Sequence, residues 1–479
     1  MIKMKKIFLY ILPLVLLGSC VKGLDDYNID QKNPSEVTPG SLFANSTKVI
    51  SDIVTTPNVN NNVFRFWVQQ WTATTYQDEP RYDFVTRNIP LNFWNQFYRE
   101  ALMDLKTSKE IAEADEFLDP AIKANQVSLT EILSVYAWTV VVNTWGDVPY
   151  TEALNLDEFG RPVYDDAATI YQDLFSRLDA AIAAIDPSAE GFGSSDLLYA
   201  DDLDAWLKFA HSLKIKMAIT IADADAGAAQ SAFNSSKDKA FTSNADNAAF
   251  AYQAASPNNN PISNSLVPPF TARQDYVIAS TIANKMNSME DPRMDFFFKD
   301  KVGGRYVGGT PGVTSPFDDF SHVSDKITDP TFEALLLDYS EVLFIKAEAA
   351  ARGWGGNATS LYNEAITASM QYWGVGSADI STYLARPDVN YSISSANYKE
   401  RIGNQKWLAL YNRGYDAWVE WRRLDYPALS PAQNADGPMP TRLPYLTSEY
   451  TLNEANVSAA AGKIDGGDEA DGKVFWDKF

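Results

Sequence analysis

The sequence predicts a mostly α-helical protein, built from paired helices, with long irregular loops and little β-structure. Three observations carry this expectation. Residues 331–352 and 359–372 each present a small-and-large face (Tyr339, Leu343, Ala347 and Ala350, then Tyr362, Ala365, Ile366 and Ser369) on either side of Gly353-Trp354-Gly355-Gly356. Small residues where two helices cross, next to a tight turn, form the tetratricopeptide-repeat pattern. Residues 120–144 with 165–186, and 202–222 with 228–241, read as degenerate copies of that pair with insertions. Proline- and asparagine-rich stretches between the helical segments are too long for simple connections, and such loops are commonly functional.

At the N-terminus, Lys3, Lys5 and Lys6 precede an apolar run from Ile7 to Leu17, then Gly18-Ser19-Cys20. A basic start, an apolar run and small residues before a cut site make a secretory signal. The run falls short of the roughly 20 apolar residues that span a bilayer. Leu17-Gly18-Ser19-Cys20 reads as a lipobox, with the Cys20 thiol acylated and becoming the first residue of the exported chain. Cys20 is the single cysteine, so the exported chain has no disulfide available. Acyl chains on one residue suffice for stable membrane anchoring. Residues 1–19 are therefore expected to be a signal peptide, 20–39 a flexible tether, and 40–479 one helical domain, since no linker-like break interrupts the latter.

Composition narrows the partners. The chain carries a formal charge of −22, and loss of Lys3, Lys5 and Lys6 makes it more negative still. Phosphate would repel such a surface, which argues against nucleic acid. With 46% hydrophobic residues among 479, a large core is available. Aromatics make up 13%, enough to fill a core and still leave rings for stacking on flat ligands such as sugars.

Along the chain, a first helix is expected over 42–54, followed by an asparagine-rich turn at 58–62. Residues 64–82 (FRFWVQQWTATTYQDEPRY) mix aromatics with amides and charges. Helices follow over 93–114 and 120–144, the latter with a wide apolar face from Ile122, Leu129, Ile132, Leu133, Tyr136, Val140 and Val141, ended by Gly146 and Pro149. Further helices read over 165–185, 202–222 and 228–241. The prolines of 250–270 exclude a regular element there, and 273–289 returns to helix. Residues 303–316 form a glycine-rich hairpin or loop. In 398–427, Ile402, Trp407, Leu408, Leu410, Tyr411, Trp418, Trp421 and Leu424 build an apolar face interrupted near Gly414. Arg413, Arg422 and Arg423 are expected to lay their stems over it, with heads solvated or paired to Asp416 and Glu420. The end of the chain, 465–472, is acidic and glycine-rich.

Catalytic patterns are absent from the sequence. His211 and His322 are the two histidines; His211 lies in an amphipathic helix and reads as a core residue. No nucleophile elbow and no zinc-protease motif occur. A carboxylate pair for glycoside hydrolysis is neither indicated nor excluded by 62 acidic residues. Asp223-Ala224-Asp225-Ala226-Gly227 and residues 468–472 are fragments of calcium-loop patterns without the remaining ligands. No cofactor is expected; calcium is possible but not indicated.

Six stretches occur in order behind the lipobox: NTWGDVPYTEAL (143–154), WLKFAHSLKIKMAITIA (206–222), DPRMDFFF (291–298), YSEVLFIKAEAAARGW (339–354), the tract 407–427, and RLPYLTSE (442–449). Together they resemble the SusD/RagB family of surface nutrient-binding lipoproteins across the whole exported chain. The resemblance implies a helical SusD-like fold with four tetratricopeptide-like pairs as scaffold and ligand-facing loops opposite them. It also implies no catalysis, an outer-membrane location facing the cell exterior, and a partner, a SusC-like TonB-dependent barrel over which the lipoprotein acts as a lid. Acidic residues soon after Cys20 resemble surface-export signals of Bacteroidetes lipoproteins.

The shared stretches are architectural, so candidate ligand residues come from side-chain chemistry. Trp67, Trp71, Tyr76, Arg81, Tyr82 and Trp94 lie in or beside the aromatic–polar tract, where rings stack on sugars and polar groups bond hydroxyls. Asn260, Arg273 and Asp275 flank the proline–asparagine loop. Oligosaccharide capture is the leading reading. The same architecture carrying oligopeptides is the second, and an acidic groove would favour cationic or neutral peptides over acidic glycans. A carboxylate-based surface hydrolase is the third.

Overall fold

The computed structural model describes residues 37–392 and 397–479; the signal peptide, Cys20 and nearly all of the tether lie outside them. The elements in chain order are α1 (Pro39–Thr55), α2 (Phe64–Trp67), β1 (Trp71–Ala73) and α3 (Ile89–Asn95), which runs through a π-helical stretch into α4 (Met103–Ala114). Then come α5 (Pro120–Trp145), β2 (Val148–Pro149), β3 (Tyr164–Asp165), α6 (Ala167–Ala184), α7 (Leu203–Thr220), α8 (Ala226–Ser236) and β4 (Ala248–Phe250). Next are α9 (Pro261–Leu266), β5 (Tyr276–Ile278), α10 (Ser280–Met289), α11 (Met294–Phe297), β6 (Phe298–Lys299), β7 (His322–Val323) and β8 (Ala334–Leu337). The chain ends with α12 (Tyr339–Ala351), α13 (Ala358–Trp373), α14 (Ser377–Leu384), α15 (Tyr398–Ala409), α16 (Gly414–Leu424), α17 (Glu449–Leu452) and α18 (Glu454–Ala461).

Helix starts follow the local sequence. Asp119, Asp166, Asp202, Asp225, Asp338, Asn357 and Asn397 each accept a bond from a first-turn amide of the helix they precede. A short acceptor there satisfies amides that have no partner within the helix. The expected pairs form: α5 packs on α6, α7 on α8, α12 on α13, with α15 on α16 as a fourth. Although α5 is long and apolar enough to cross a membrane, its apolar window is 89% buried inside the protein. Its apolar face is a core face, closed by α4 and α6.

Several boundaries differ from expectation, two of them because strand pairing overrides local helical propensity. The first part of 331–352 is β8, paired antiparallel with β4, before Asp338 opens α12. Likewise 273–289 begins as β5, paired with β1 in the register Trp71 to Ile278 and Ala73 to Tyr276. Within 250–270 the prolines do not exclude a helix: Pro261 takes the first turn of α9, where it sacrifices no amide bond. Helix α8 stops at Ser236, short of the expected Phe241.

The 398–427 tract lies at the centre. Its arginines are buried, and the expected pairs to Asp416 and Glu420 form. Arg413 pairs with Glu341 and Asp416, both at 2.7 Å, and Arg423 pairs with Glu420 at 2.6 Å and Glu348 at 2.5 Å. Arg422 lies over the Trp418 ring at 3.5 Å and the Trp476 ring at 4.7 Å. Lys216 and Lys406 complete a chain of interior ion pairs joining α7, α12, α15 and α16.

Candidate functional site

A cleft of about 290 Å³ opens where β1 and β5 pair, close to the lower size of small-ligand pockets. Asn58 and Asn60 come from the turn after α1, and Tyr76, Glu79 and Arg87 from the loop after β1. Asn264 comes from α9, and Arg273 and Asp275 from the approach to β5. Ladder pairing fixes the floor, and the 309–315 loop braces it: Ser315 N–H donates to Thr74 O at 2.9 Å, and Arg81 Nε to Gly312 O at 2.8 Å. Two non-glycine residues in this stretch have left-handed backbones, Gln69 at φ 55° and Tyr82 at φ 77°. Such strain persists where surrounding bonds enforce it. Gln69 donates to Ser430 O and accepts from the Thr281 hydroxyl, and the Tyr82 hydroxyl accepts from the Ala432 amide at 2.8 Å.

The cleft's charge is internally balanced. Glu79 pairs with Arg87, and Arg273 with Asp275 at 2.7 Å. Burial raises the Glu79 carboxyl above the usual carboxylate range, partly offset by its backbone bond and by Arg87. The amides retain unused capacity. Asn58 Oδ1 accepts from the Asn60 backbone and side chain, leaving Asn58 Nδ2 and Asn60 Oδ1 unengaged among the described residues. Asn264 Oδ1 accepts from Asn259 at 2.8 Å, leaving its amide nitrogen. Above them the Tyr76 ring is 65% exposed. One exposed ring beside free donors and acceptors matches a flat, polyhydroxylated molecule.

Of the nine residues singled out in sequence, Tyr76, Arg273 and Asp275 line this cleft. Arg81 lies beneath it, holding the 309–315 loop. The other five are corrected: their rings or amides are enclosed by protein and leave no face for a ligand. Trp67 packs edge-on to Phe64 and Trp418, and Trp71 donates to the Tyr411 hydroxyl under the Arg65 guanidinium. Tyr82 supports Ala432, Trp94 stacks on Tyr98, and Asn260 caps α9 while donating to Phe332 O. Glu79, Arg87 and the three amides were not singled out. Glu79 lay within the aromatic–polar tract and the first two amides within the asparagine turn, but nothing local distinguished Arg87 or Asn264.

Elsewhere the chemistry-bearing residues are engaged structurally. His211 Nδ1 lies 3.0 Å from the Ser236 hydroxyl in the core. Asp223 pairs with Arg352 and Lys399, Asp225 caps α8, and Asp468 pairs with Arg442. Among the described residues, no cluster of His, Cys, Asp or Glu is arranged to hold a metal ion.

A family model described as SusD-like, starch-binding and associating with the outer membrane matches residues 31–446. A comparison with curated proteins gives no match. Solved structures share the fold. A chitin-binding protein is 24% identical with a TM-score of 0.80, covering 92% of this chain and 100% of its own. A chitin-binding SusD homologue from Flavobacterium johnsoniae is 21% identical with a TM-score of 0.77, covering 92% and 98%. A SusD homologue from Bacteroides uniformis is 24% identical with a TM-score of 0.77, covering 93% and 100%.

Proposed function

The chain belongs to the SusD-like family, and on that premise we propose that it is a non-catalytic carbohydrate-binding lipoprotein of the outer-membrane surface. In this reading Cys20 carries the lipid, the cleft between the β1 and β5 loops captures an oligosaccharide, and the domain acts as the lid of a SusC-like TonB-dependent barrel. Ligand binding favours the closed lid, since a ligand shifts an equilibrium toward the state it binds better. The observation that carries the glycan reading is the exposed Tyr76 ring set beside unengaged amides and two self-compensating ion pairs. A ring supports the apolar face of a sugar, amides bond its hydroxyls, and compensated charge selects for neutral ligands. The net acidity of the chain therefore does not extend to an acidic groove, which removes the electrostatic reason to favour cationic peptides. The chitin-binding description of two similar structures supports the same choice.

The test is purification of the native lipidated protein from membranes, with mass spectrometry of co-purifying proteins and retained small molecules. A stoichiometric barrel with bound glycan is expected. Bound peptides would replace the glycan reading, turnover of a bound glycan would make the protein a hydrolase, and recovery of the protein alone would remove the lid mechanism.

A further inference from the structure

A second groove, of about 470 Å³, lies between α10 and α15 and is closed on a third side by the 426–429 turn. Lys285 and Ser288 come from α10, Glu400 and Asn404 from α15. Lys285 and Glu400 are both half-buried in the groove. Neither side chain has an ion-pair or hydrogen-bond partner among the described residues. The bonds of Glu400 are made by its backbone, its N–H to Asn397 Oδ1 and its carbonyl from Asn404 Nδ2. That leaves the Glu400 carboxylate, the Lys285 ammonium, the Asn404 Oδ1 and the exposed Asn284 amide for a ligand.

Trp407 borders the groove from the core, its Nε1–H donated to Val68 O at 3.0 Å, so Tyr426 is the ring available to a ligand. Tyr426 is half-buried with no ring partner of its own among the described residues. Its segment is seated tightly on α15, because at Gly403 an added Cβ would lie 2.7 Å from Tyr426 Cβ. The groove is thus shaped by close packing between a helix and a turn.

Its position ties it to the first cleft. Helix α10 follows β5 directly, and β5 borders that cleft. Gln69, just before β1, accepts from Thr281 at 2.6 Å and donates to Ser430 O at 2.5 Å, bracing both α10 and the turn. Gln69 thus ties both walls of this groove to the start of the strand that borders the first cleft.

We propose that this groove is a second saccharide-binding site, resting on the glycan reading of the first. A sugar ring lies against Tyr426, with its hydroxyls bonded by Glu400, Lys285, Asn284 and Asn404. A hydroxyl that donates to an unpaired carboxylate, or accepts from an unpaired ammonium, makes a charge-assisted and strong bond. Occupying both sites with one long chain makes the second contact intramolecular, which raises apparent affinity without new contacts.

The test uses the full exported chain, titrated calorimetrically with disaccharides and octasaccharides of the chitin and starch types. Wild type is expected to bind two disaccharides per chain. The double variant Lys285→Ala/Glu400→Ala is expected to bind one, and to lose about tenfold or more in octasaccharide affinity. Asn284→Ala, at an exposed position, gives a milder loss in a protein whose melting temperature is unchanged. One disaccharide per chain, with octasaccharide affinity untouched by either variant, would overturn the second site and leave the first standing. Absence of any saccharide binding to wild type would overturn both.

Discussion

Arg423 grips the Glu348 carboxylate with its two terminal guanidinium nitrogens, at 2.6 and 2.5 Å, across 75 residues of sequence. Both side chains are 1% exposed, and the pair ties α16 to α12. Arg423→Ala leaves Glu348 and Glu420 short of a buried partner and is expected to cost about 3–5 kcal/mol. Replacing both by apolar residues of similar volume, Arg423→Met with Glu348→Leu, recovers much of that loss, because Glu420 keeps Lys406 and Arg352 keeps Asp223. Urea denaturation of the single and double variants measures this; equal losses would show that the pair itself, and not the orphaned charge, carries the stability.

Glu341 pairs with Lys216 at 3.0 Å and accepts a hydrogen bond from Arg413 at 2.7 Å. Burial alone would raise its carboxyl, but these cations override it and hold it down at about 2. Its folded-state value lies below the unfolded one of about 4.3. Its stability contribution is therefore complete above about pH 4.3 and is lost as pH falls toward about 2. Glu348, held low by Arg423 against burial, acts in the same direction, while Asp338, raised by burial, opposes it. Stability in acid should fall less steeply with pH in Glu341→Gln than in wild type.

His211 behaves as a buried base. Burial, reinforced by Lys239 and Lys214, lowers it to about 4 from 6.5. The unfolded chain then binds the extra proton between those values, so stability rises with pH from about 4 to about 6.5 and is flat above. His211→Asn should flatten this segment of the stability–pH curve measured by thermal unfolding.

Tyr76→Ala removes the exposed ring of the first cleft. Glycan affinity should fall about tenfold, in line with about 1–1.5 kcal/mol for an aromatic contact. The melting temperature should not change, since the ring is 65% exposed. Trp67→Ala gives the reverse pattern, a stability loss of about 3–5 kcal/mol for a large core residue.

Gly308 passes so close to β5 and α10 that a Cβ there would lie 2.3 Å from the Ala279 carbonyl carbon. Backbone cannot yield as a flexible side chain does, so Gly308→Ala is expected to cost about 1–3 kcal/mol. It should also lower protection of the Gly309 and Ser280 amides, which bond Ile278 O at 2.9 Å and Gly309 O at 2.7 Å. Hydrogen exchange reads this directly.

The helix pairs were legible because their causes are local: aspartate and asparagine caps, a 3.6-residue apolar period, and glycine at the turns. The expectation of export and lipidation, and the family resemblance, likewise rest on contiguous residues. The cleft was legible only in part. Residue type points alike to Tyr76, Arg273 and Asp275, which line the cleft, and to Trp67, Trp71, Tyr82 and Trp94, which lie in the core. An aromatic suits either a stacking face or a packed interior, and composition does not separate them.

The sequence by itself determined where the long helices lie and which neighbours pair, because caps and apolar periods span a few residues, while the strands at 276–278 and 334–337 that shift two helix starts depend on distant partners. Tertiary structure alone decided that β1 meets β5 some 200 residues along, that Glu79 faces Arg87 beside Arg273, and that Arg413, Arg422 and Arg423 are interior. Which side chains are enclosed and which line a cleft depends on partners distant in the chain. Burial of charge is tolerable only once those partners are assembled.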